Sequence, residues 1–363
     1  MKITGYTSHI VRTPADNPLV VGLPERNDTR EFVTLELQTD AGLTGVGLTF
    51  FGGALTGALK AAVDAFAELS IGEDPTRVEA IAARAQAAAG SAGPGGIFSL
   101  ALSAVDIACW DLRGKAEGKS VCALLGGLRD RAPTYASGAL LRQHPVGYLS
   151  EAGPRLRQMG FRQMKMQCGS EPTVAASVER VRVMRESIGP DIDLMCDINQ
   201  LWSVPHAVRV GSLIEEYGLF WLEDPVAHDD FAGLATVADA LVMPIAAGEY
   251  HYGIVPFRHM LEARSVDIVM VDLLRVGGVT QWMKVAGMAQ AFNRPVVSHL
   301  IPEIHVHLVS AIPNGLTVEY MPWTHRLWSE FPSVNADGTL SVPEKPGFGL
   351  EFNKGTLRQY TVT

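Results

Sequence analysis

Apolar, strand-like runs that end in an acidic residue recur through the second half of the chain at nearly constant spacing. The runs are DLMCD, LFWLE, PIAAGE and DIVMVD, which end at Asp197, Glu223, Glu249 and Asp272. The steps between these acids are 26, 26 and 23 residues, the length of one strand plus one helix. Two further runs continue the series and end at His299 and Glu319. Polar residues at the carboxyl ends of successive strands of a (β/α) barrel converge on one mouth, so the series predicts one catalytic site there.

Strand-like segments alternate with helical stretches from about residue 133 onward. Eight strands are predicted to start near Thr134, Gln163, Leu194, Phe220, Ile245, Ile268, Val296 and Leu316. Alternation of this length predicts a parallel sheet with right-handed crossovers, and eight starts favour a closed barrel over an open sheet. No clear helical pattern follows the last of these runs.

The two ends of the chain have a different pattern. Residues 1–50 alternate apolar and polar positions on both sides of a turn at Asp40–Gly42, which predicts a hairpin. Helical patterns follow at 54–69 and 75–89, and a mostly apolar helix follows at about 99–119. Strand and turn residues dominate the tail, which we expect to return to the first domain. We therefore expect an α+β domain at 1–128, a barrel at 129–325 and a returning segment at 326–363.

Composition excludes several classes of protein. The chain has 363 residues and a net charge of −9, with no Lys/Arg cluster, which argues against a nucleic-acid surface. No run of about 18 apolar residues predicts a membrane span, and the first residues lack an apolar leader. The four cysteines are scattered without a CxxC pair, which favours buried thiols in a reducing, cytoplasmic compartment.

The acidic residues suit a metal site. Strand side chains alternate between two faces, so Asp197 and Asn199 share a face, whereas Glu223 and Asp224 point to opposite faces. Glu223 is therefore the better ligand candidate of the adjacent pair. Three carboxylates without Cys or His among them suit a hard divalent cation. We predict one Mg²⁺ per active site, at Asp197, Glu223 and Glu249.

The remaining members of the series suit a general base and its surroundings. Asp272 and His299 end neighbouring strands, and a carboxylate bonded to one imidazole nitrogen raises the basicity of the other. Lys165, which shares a strand face with Gln167, adds a cation beside the same site. Glu319 adds a carboxyl group opposite.

Each of these residues also has an ordinary structural interpretation. A single acid after a strand is more often a helix N-cap or a solvated loop residue, and the constant period is what favours function. A lone histidine is more often a packed residue than a catalyst, and we interpret His305 and His307 as structural. His251, two residues after Glu249, could reach the mouth, but packing is the more frequent outcome.

The ordered motifs resemble the mandelate racemase subgroup of the enolase superfamily over essentially the whole chain. They are SAVDIACWDLRGK with LLGG, MKMQCG, DINQ, WLEDP, AAGE, DIVMVDLLRVGGVT, VSHLIPEIHVH and PGFGLEF. The resemblance implies an α/β fold: a modified TIM (β/α)7β barrel, with an incomplete last unit, under an α+β capping domain. It also implies a homo-oligomer, since family members are often octamers.

The resemblance also implies a role for each site residue. The Mg²⁺ ligands correspond to Asp197, Glu223 and Glu249. The dyad that abstracts a proton α to a carboxylate corresponds to His299 and Asp272, and the acid that hydrogen-bonds the carboxylate oxygen to Glu319. Polar groups lining the pocket correspond to Ser137 and Asn199, and the first lysine of a KxK pair to Lys165.

One position departs from the family pattern. Gln167 replaces the second lysine of KxK, which usually serves as the base for the opposite face. Glutamine cannot take up a proton near neutral pH, so only Lys165, from a shifted position, could replace that base. Proton removal by His299 alone remains, which favours β-elimination of water over racemisation.

The sequence therefore predicts a Mg²⁺-dependent dehydratase that converts a hydroxylated, sugar-like carboxylic acid to a 2-keto-3-deoxy acid through an enediolate. In this hypothesis protonated Glu319 helps to stabilise the enediolate, and the partner is a small-molecule carboxylate. A racemase, epimerase or cycloisomerase on the same scaffold remains the alternative, and a non-catalytic relative is the third. The substrate itself depends on capping loops, of which 17–30 carries Arg26 and Arg30, and 49–55 carries Phe50 and Phe51.

Overall fold

The amino-terminal part of the chain pairs a three-stranded antiparallel sheet with helices. The structure, a computed structural model, describes residues 1–23 and 27–362, so Arg26 lies outside the described residues. The strands are β1 (Ile3–Pro14), β2 (Thr29–Thr39) and β3 (Thr44–Thr49), in the order β1-β2-β3. The helices are α1 (Thr56–Ser70), α2 (Val78–Ala89), α3 (Ile97–Glu117) and α4 (Val121–Leu124). The hairpin expected around Asp40–Gly42 is present as the antiparallel pair β2 and β3.

Eight parallel strands then form the barrel. They are β4 (Arg131–Leu140), β5 (Gln163–Gln167), β6 (Asp193–Asp197), β7 (Leu219–Glu223), β8 (Ile245–Ala247), β9 (Ile268–Asp272), β10 (Val296–His299) and β11 (Val318–Tyr320). Neighbours along the chain pair in parallel from β4 to β10, and β11 pairs with β4. A bridge between Val296 and Gly315 brings the last connection against β10, so the barrel is nearly closed.

Helices cover the outside of the barrel and follow the strands in turn. They are α5 (Val146–Gln158), α6 (Val174–Ile188), α7 (Val204–Ile214), α8 (Phe231–Ala240), α9 (Val255–Glu262), α10 (Leu273–Val276), α11 (Val279–Ala291) and α12 (Pro302–Ala311). Directly after β11, where a further barrel helix would stand, the chain forms a three-residue 3₁₀ helix, His325–Leu327. These elements confirm the predicted (β/α)7β barrel with an α+β cap.

Large side chains fill the inside of the barrel below the mouth. A cluster separate from the main core contains Tyr135, Met195, Trp221, Ala246, Ile268, Met270 and Val297. The barrel interior is therefore packed, which leaves the mouth as the place where polar side chains can meet a ligand.

Helix α3 attaches the cap to the barrel beside β9. Its Trp110 donates a hydrogen bond from Nε1 to Oγ1 of Thr280 at 2.9 Å, and Asp106 accepts one from the backbone N–H of Thr280 at 3.0 Å. A Cβ atom at Gly278, where φ is 101°, would lie 2.5 Å from Oδ2 of Asp106. Glycine is therefore required for this close approach, which holds the cap over the end of β9.

The carboxyl-terminal segment contacts both parts of the chain. Its strand β12 (Thr339–Ser341) pairs antiparallel with β4, while the backbone N–H of Val362 donates to the carbonyl of Ile10 at 2.8 Å. It also contains helix α13 (Lys354–Tyr360), which the sequence analysis did not predict. Asn353 caps this seven-residue helix, which is too short for a periodic signal.

Two further expectations concern the chain as a whole. The four cysteines are free and buried, as expected. Within residues 1–23 and 27–362, no helix is both long enough and apolar enough to cross a membrane.

Candidate active site

The polar residues predicted at strand ends do lie together at the barrel mouth. Parallel register places Gln167, Asp197 and Glu223 side by side on β5, β6 and β7, and places Asp272 beside His299 on β9 and β10. Glu249 follows β8 by two residues, and Glu319 is the middle residue of β11. Because the strands are parallel, side chains far apart in the sequence share one rim.

Three buried carboxylates occupy one side of this rim. Asp197, Glu223 and Glu249 have exposed fractions of 2%, 0% and 4%. Burial raises the pKa of Asp197 to about 6 and that of Glu223 to about 8, and the neighbouring carboxylates add to both shifts. Such a cluster is costly unless a cation neutralises it. The donor set is all oxygen and therefore fits a hard divalent cation.

Asp224 lies with Glu223 and Glu249 in one group of carboxylates, and the prediction that it points away was wrong. It is fully buried, and its carboxylate has an oxygen within 4.8 Å of one on Glu223 and one on Glu249. Strand β7 ends at Glu223, and Asp224 adopts a φ of 41°, so strand alternation no longer applies to it. The sequence analysis assigned this residue to the outer face because no local pattern indicated the turn.

Lys165 pairs with two carboxylates at the centre of the mouth. Its Nζ lies 2.5 Å from Oε1 of Glu223 and 2.9 Å from Oε1 of Glu319, and the side chain is only 4% exposed. Burial alone would lower the pKa of Lys165, but Glu223 and Glu319 raise it well above its ordinary value. Lys165 is therefore a charged ammonium group in this arrangement and not a base.

His299 and Asp272 form a hydrogen-bonded pair on the other side of the mouth. Nδ1 of His299 lies 2.7 Å from Oδ2 of Asp272, while Oδ1 of Asp272 accepts from the backbone N–H groups of Leu274 and Arg275. Nε2 of His299 faces Oε2 of Glu249 at 3.2 Å. Burial would lower the pKa of His299, but Glu249, Asp272 and Glu319 outweigh it and raise the value to about 9. The pair thus has the geometry of an oriented general base.

Glu319 lies beside two cationic side chains, which favour its carboxylate form in this arrangement. Its Oε2 accepts a hydrogen bond of 2.6 Å from the backbone N–H of Leu300. Burial would raise its pKa, but Lys165 and His299 lower it to about 2. The two cations beside it therefore determine its charge.

The predicted substrate-binding residues differ in their surroundings. Asn199 binds both oxygens of Asp197, through its backbone N–H at 2.8 Å and Nδ2 at 2.9 Å, and its Nδ2 lies 3.4 Å from the hydroxyl of Tyr250. Gln167 is half-buried at the end of β5. Ser137 is buried on β4.

Arg142 is a residue that the sequence analysis missed. It lies in the loop after β4 and donates a hydrogen bond to Oδ1 of Asn199. Arg180 holds this loop by donating to the backbone carbonyls of Leu141, His144 and Gln167 at 2.7, 2.9 and 3.1 Å. The loop has no periodic pattern, so its approach to β6 could not be predicted from the sequence.

The cap covers the mouth with aromatic side chains. Phe51, at a φ of 75°, stacks on His299 with a ring separation of 6.3 Å, and Arg275 lies 4.1 Å above the Phe51 ring. Phe50 packs into the cap core, 6.4 Å from the ring of Trp323, and the guanidinium of Arg30 lies 4.2 Å above that ring. Of the two aromatic residues predicted in this loop, only Phe51 stacks on the candidate base.

The other histidines considered in the sequence are packed. His305 and His307 are fully buried, and each has a ring nitrogen close to a backbone carbonyl, of Leu300 at 2.7 Å and of Phe348 at 3.2 Å. The ring of His251 packs among His228, Phe231 and Phe257.

Two family models match the chain. The model described as the mandelate racemase / muconate lactonizing enzyme N-terminal domain matches residues 6–126, and the enolase C-terminal domain-like model matches residues 148–356.

Individual relatives are similar over most of their length. L-talarate/galactarate dehydratase of Salmonella typhimurium is 29% identical over 91% of this chain and 83% of that protein. 3,6-Anhydro-α-L-galactonate cycloisomerase of Streptomyces coelicolor is 32% identical over 89% of this chain and 90% of that protein. The crystal structure of L-talarate dehydratase from Polaromonas sp. JS666, complexed with Mg and L-glucarate, has a TM-score of 0.91 and 29% identity, and covers 100% of this chain and 98% of that one.

Proposed function

The chain belongs to the mandelate racemase / muconate lactonizing enzyme family of the enolase superfamily, and on that premise we propose that it dehydrates a sugar acid to a 2-keto-3-deoxy acid. It is an enzyme of the lyase or isomerase type, and its cofactor is Mg²⁺. The observation that carries the more specific proposal is the asymmetry of the mouth. One side has the His299–Asp272 pair, whereas the position of the usual second base holds Gln167.

In this proposal His299 removes the proton α to the substrate carboxylate. Asp272 orients the imidazole through Nδ1. Nε2 now faces Glu249, whose charge raises the pKa of His299, so Nε2 would accept the substrate proton once a bound cation neutralises Glu249. The protonated imidazole then returns the proton to the departing β-hydroxyl, so that water leaves. The resulting enol tautomerises to the 2-keto acid: its β carbon takes a proton from solvent, and its α-hydroxyl group releases one to solvent.

The cation site in this proposal consists of Asp197, Glu223 and Glu249. Their burial, their all-oxygen chemistry and their mutual repulsion support the assignment. When bound, Mg²⁺ supplies Lewis-acid polarisation of a substrate carboxylate. Neutralising Glu223 would also free Lys165, which now pairs with it, to face the negative charge that develops on the substrate.

Glu319 keeps its proposed role as hydrogen-bond partner of the substrate carboxylate, with one condition. That role needs the protonated acid, and its ion pair with Lys165 now favours the carboxylate. Lys165 must therefore turn toward the substrate before Glu319 can act as a donor. Asn199, Gln167 and Ser137 remain proposed substrate contacts.

A screen for 2-keto acid formation tests the proposal. Hexaric acids such as L-talarate and galactarate, on which the dehydratase relatives act, would be compared with shorter hydroxy acids, each with Mg²⁺ and with EDTA. We expect a 2-keto acid from at least one sugar acid, with Mg²⁺ only. A product with the mass of the substrate would instead support a racemase, epimerase or cycloisomerase, in line with the cycloisomerase relative.

Domain limits, oligomeric state and cellular location complete the proposal. We propose domain limits of 1–128, 129–325 and 326–363, to be tested by limited proteolysis, and a homo-oligomer, to be tested by light scattering. The four buried free thiols support a reducing, cytoplasmic location, which cell fractionation would test.

A further inference from the structure

Asp224 has a buried carboxylate to which no residue in the described part of the chain donates a hydrogen bond. The residue is 0% exposed, and neither Oδ1 nor Oδ2 has a hydrogen-bond partner among residues 1–23 and 27–362. By contrast, both backbone polar groups of Asp224 make hydrogen bonds. The Asp224 N–H donates to the carbonyl of Ala246 at 2.9 Å, and its own carbonyl accepts from the N–H of Gln200 at 2.7 Å. The side chain is thus held in place without a partner.

The backbone conformation directs this carboxylate into the cation site. A φ of 41° is uncommon for a residue with a Cβ atom and costs energy on its own. It places two consecutive carboxylates, Glu223 and Asp224, on the same mouth, within 4.8 Å of each other and of Glu249. Strain together with an unpaired buried carboxyl group is the pattern of a residue positioned for a ligand.

We propose that Asp224 is a further member of the metal centre, which accepts a hydrogen bond from a water molecule on the cation instead of ligating the cation directly. Mg²⁺ requires near-octahedral oxygen coordination and usually keeps water molecules. Asp197, Glu223 and Glu249 already supply three oxygens, and a substrate carboxylate needs room as well. A fourth carboxylate therefore fits better outside the first coordination sphere than among the direct ligands. In that outer position it orients bound water. The inference rests on the proposed cation site.

Metal binding in the absence of substrate tests this inference. Calorimetric titration of the full-length, metal-free protein with Mg²⁺ would compare wild type, Asp224→Asn and Asp229→Asn. Asp229 is the matched control because it is an exposed aspartate in the same loop. We expect Asp224→Asn to raise the Kd by about 10- to 100-fold, the usual effect of losing an outer-sphere partner. Asp229→Asn should keep the wild-type Kd. A wild-type Kd in Asp224→Asn would overturn the inference.

Two more measurements separate the inference from general damage. Asp224→Asn removes an unpaired buried acid, so the metal-free variant should melt at or above the wild-type Tm even though it binds metal more weakly. With Mn²⁺ as the probe, water-proton relaxation should count the same number of bound waters in Asp224→Asn as in wild type. An additional water would mean that Asp224 ligates the ion directly, which contradicts the proposed position.

A crystal structure of the wild-type protein with Mg²⁺ keeps the inference testable if the variant does not fold. An Asp224 oxygen at roughly 2.5–2.7 Å from a metal-bound water is expected, and an Asp224 side chain turned away from the ion would contradict it. A wild-type protein that binds Mg²⁺ but dehydrates no sugar acid would overturn the proposed function alone. A protein that binds no Mg²⁺ would overturn both.

Discussion

Nζ of Lys165 lies 2.5 Å from Oε1 of Glu223, so the candidate cation of the site is paired with a candidate metal ligand. The indole N–H of Trp221 donates to the other oxygen of Glu223 at 2.8 Å. Both oxygens are therefore satisfied inside a buried mouth, which limits the cost of this carboxylate. Lys165 must break its ion pair with Glu223 before its ammonium group can face a substrate. Cation binding at Glu223 is therefore coupled to the release of Lys165.

The dyad provides the first prediction. His299→Asn should lower α-proton exchange by at least about 10²–10⁴-fold, because it removes the oriented base, with substrate affinity largely retained. Asp272→Asn should also be severe, since the imidazole loses the partner that orients it. Deuterium incorporation followed by NMR in D₂O measures both. The exposed His259 is a suitable control, and near wild-type exchange in His299→Asn would shift the role of base to Lys165.

Gln167 provides the second prediction. Only one configuration at the α carbon should exchange its proton, because amide chemistry cannot supply a second base and Lys165 is held as a cation by Glu223 and Glu319. Gln167→Lys should permit some exchange of the opposite epimer. The measurement is deuterium incorporation for both epimers of a working substrate. Equal exchange of both by the unmodified protein would restore the racemase or epimerase hypothesis.

Arg142 provides the third prediction. Its guanidinium donates to Asn199, whose amide in turn binds Asp197, so it places a positive charge beside the expected position of an anionic substrate. Arg142→Gln should lower kcat/KM by roughly 10- to 100-fold, the effect of losing one hydrogen bond to a charged group. Steady-state kinetics would show the loss mainly in KM. Arg131, at the opposite end of β4, is a suitable control, and a wild-type KM in Arg142→Gln would exclude substrate contact.

The buried Glu303 provides a prediction on pH and stability. Its Oε1 accepts from Oγ1 of Thr324 at 2.6 Å and from Nε1 of Trp328 at 2.8 Å. Burial raises the pKa of Glu303 from 4.5 to about 7, so the folded protein binds more protons than the unfolded chain between these pH values. The contribution of Glu303 to stability is therefore present below about pH 4.5 and is lost as the pH rises through 7.

Glu303→Gln should remove this pH dependence, because the amide keeps an acceptor oxygen and does not ionise. Its Tm should exceed that of wild type above pH 7, by an amount corresponding to on the order of 2–4 kcal/mol of unfolding free energy. The difference between the two proteins should decrease toward pH 4.5. A constant difference in Tm from pH 4.5 to 8 would show that Glu303 does not titrate in this window.

Much of the site could be predicted from local pattern alone. Each barrel strand carries its own apolar run, and each strand-end acid is recognisable within about six residues of sequence. Parallel strands must present their carboxyl ends together, so the convergence of Asp197, Glu223, Asp272 and His299 on one mouth follows from topology.

The features of the site that only the tertiary structure decided lie just outside those strands. Asp224 faces the mouth because one residue turns to a positive φ, and Arg142 reaches Asn199 across 57 positions of sequence. The charge of Glu319 depends on Lys165, which lies on another strand. Side-chain periodicity is a local property of the chain, so the sequence by itself determined the barrel and its ring of polar residues. Loop conformation and ionisation depend on neighbours distant in sequence. Only the tertiary structure therefore determined which carboxylate oxygens face the cation site and how the neighbours of His299 shift its pKa.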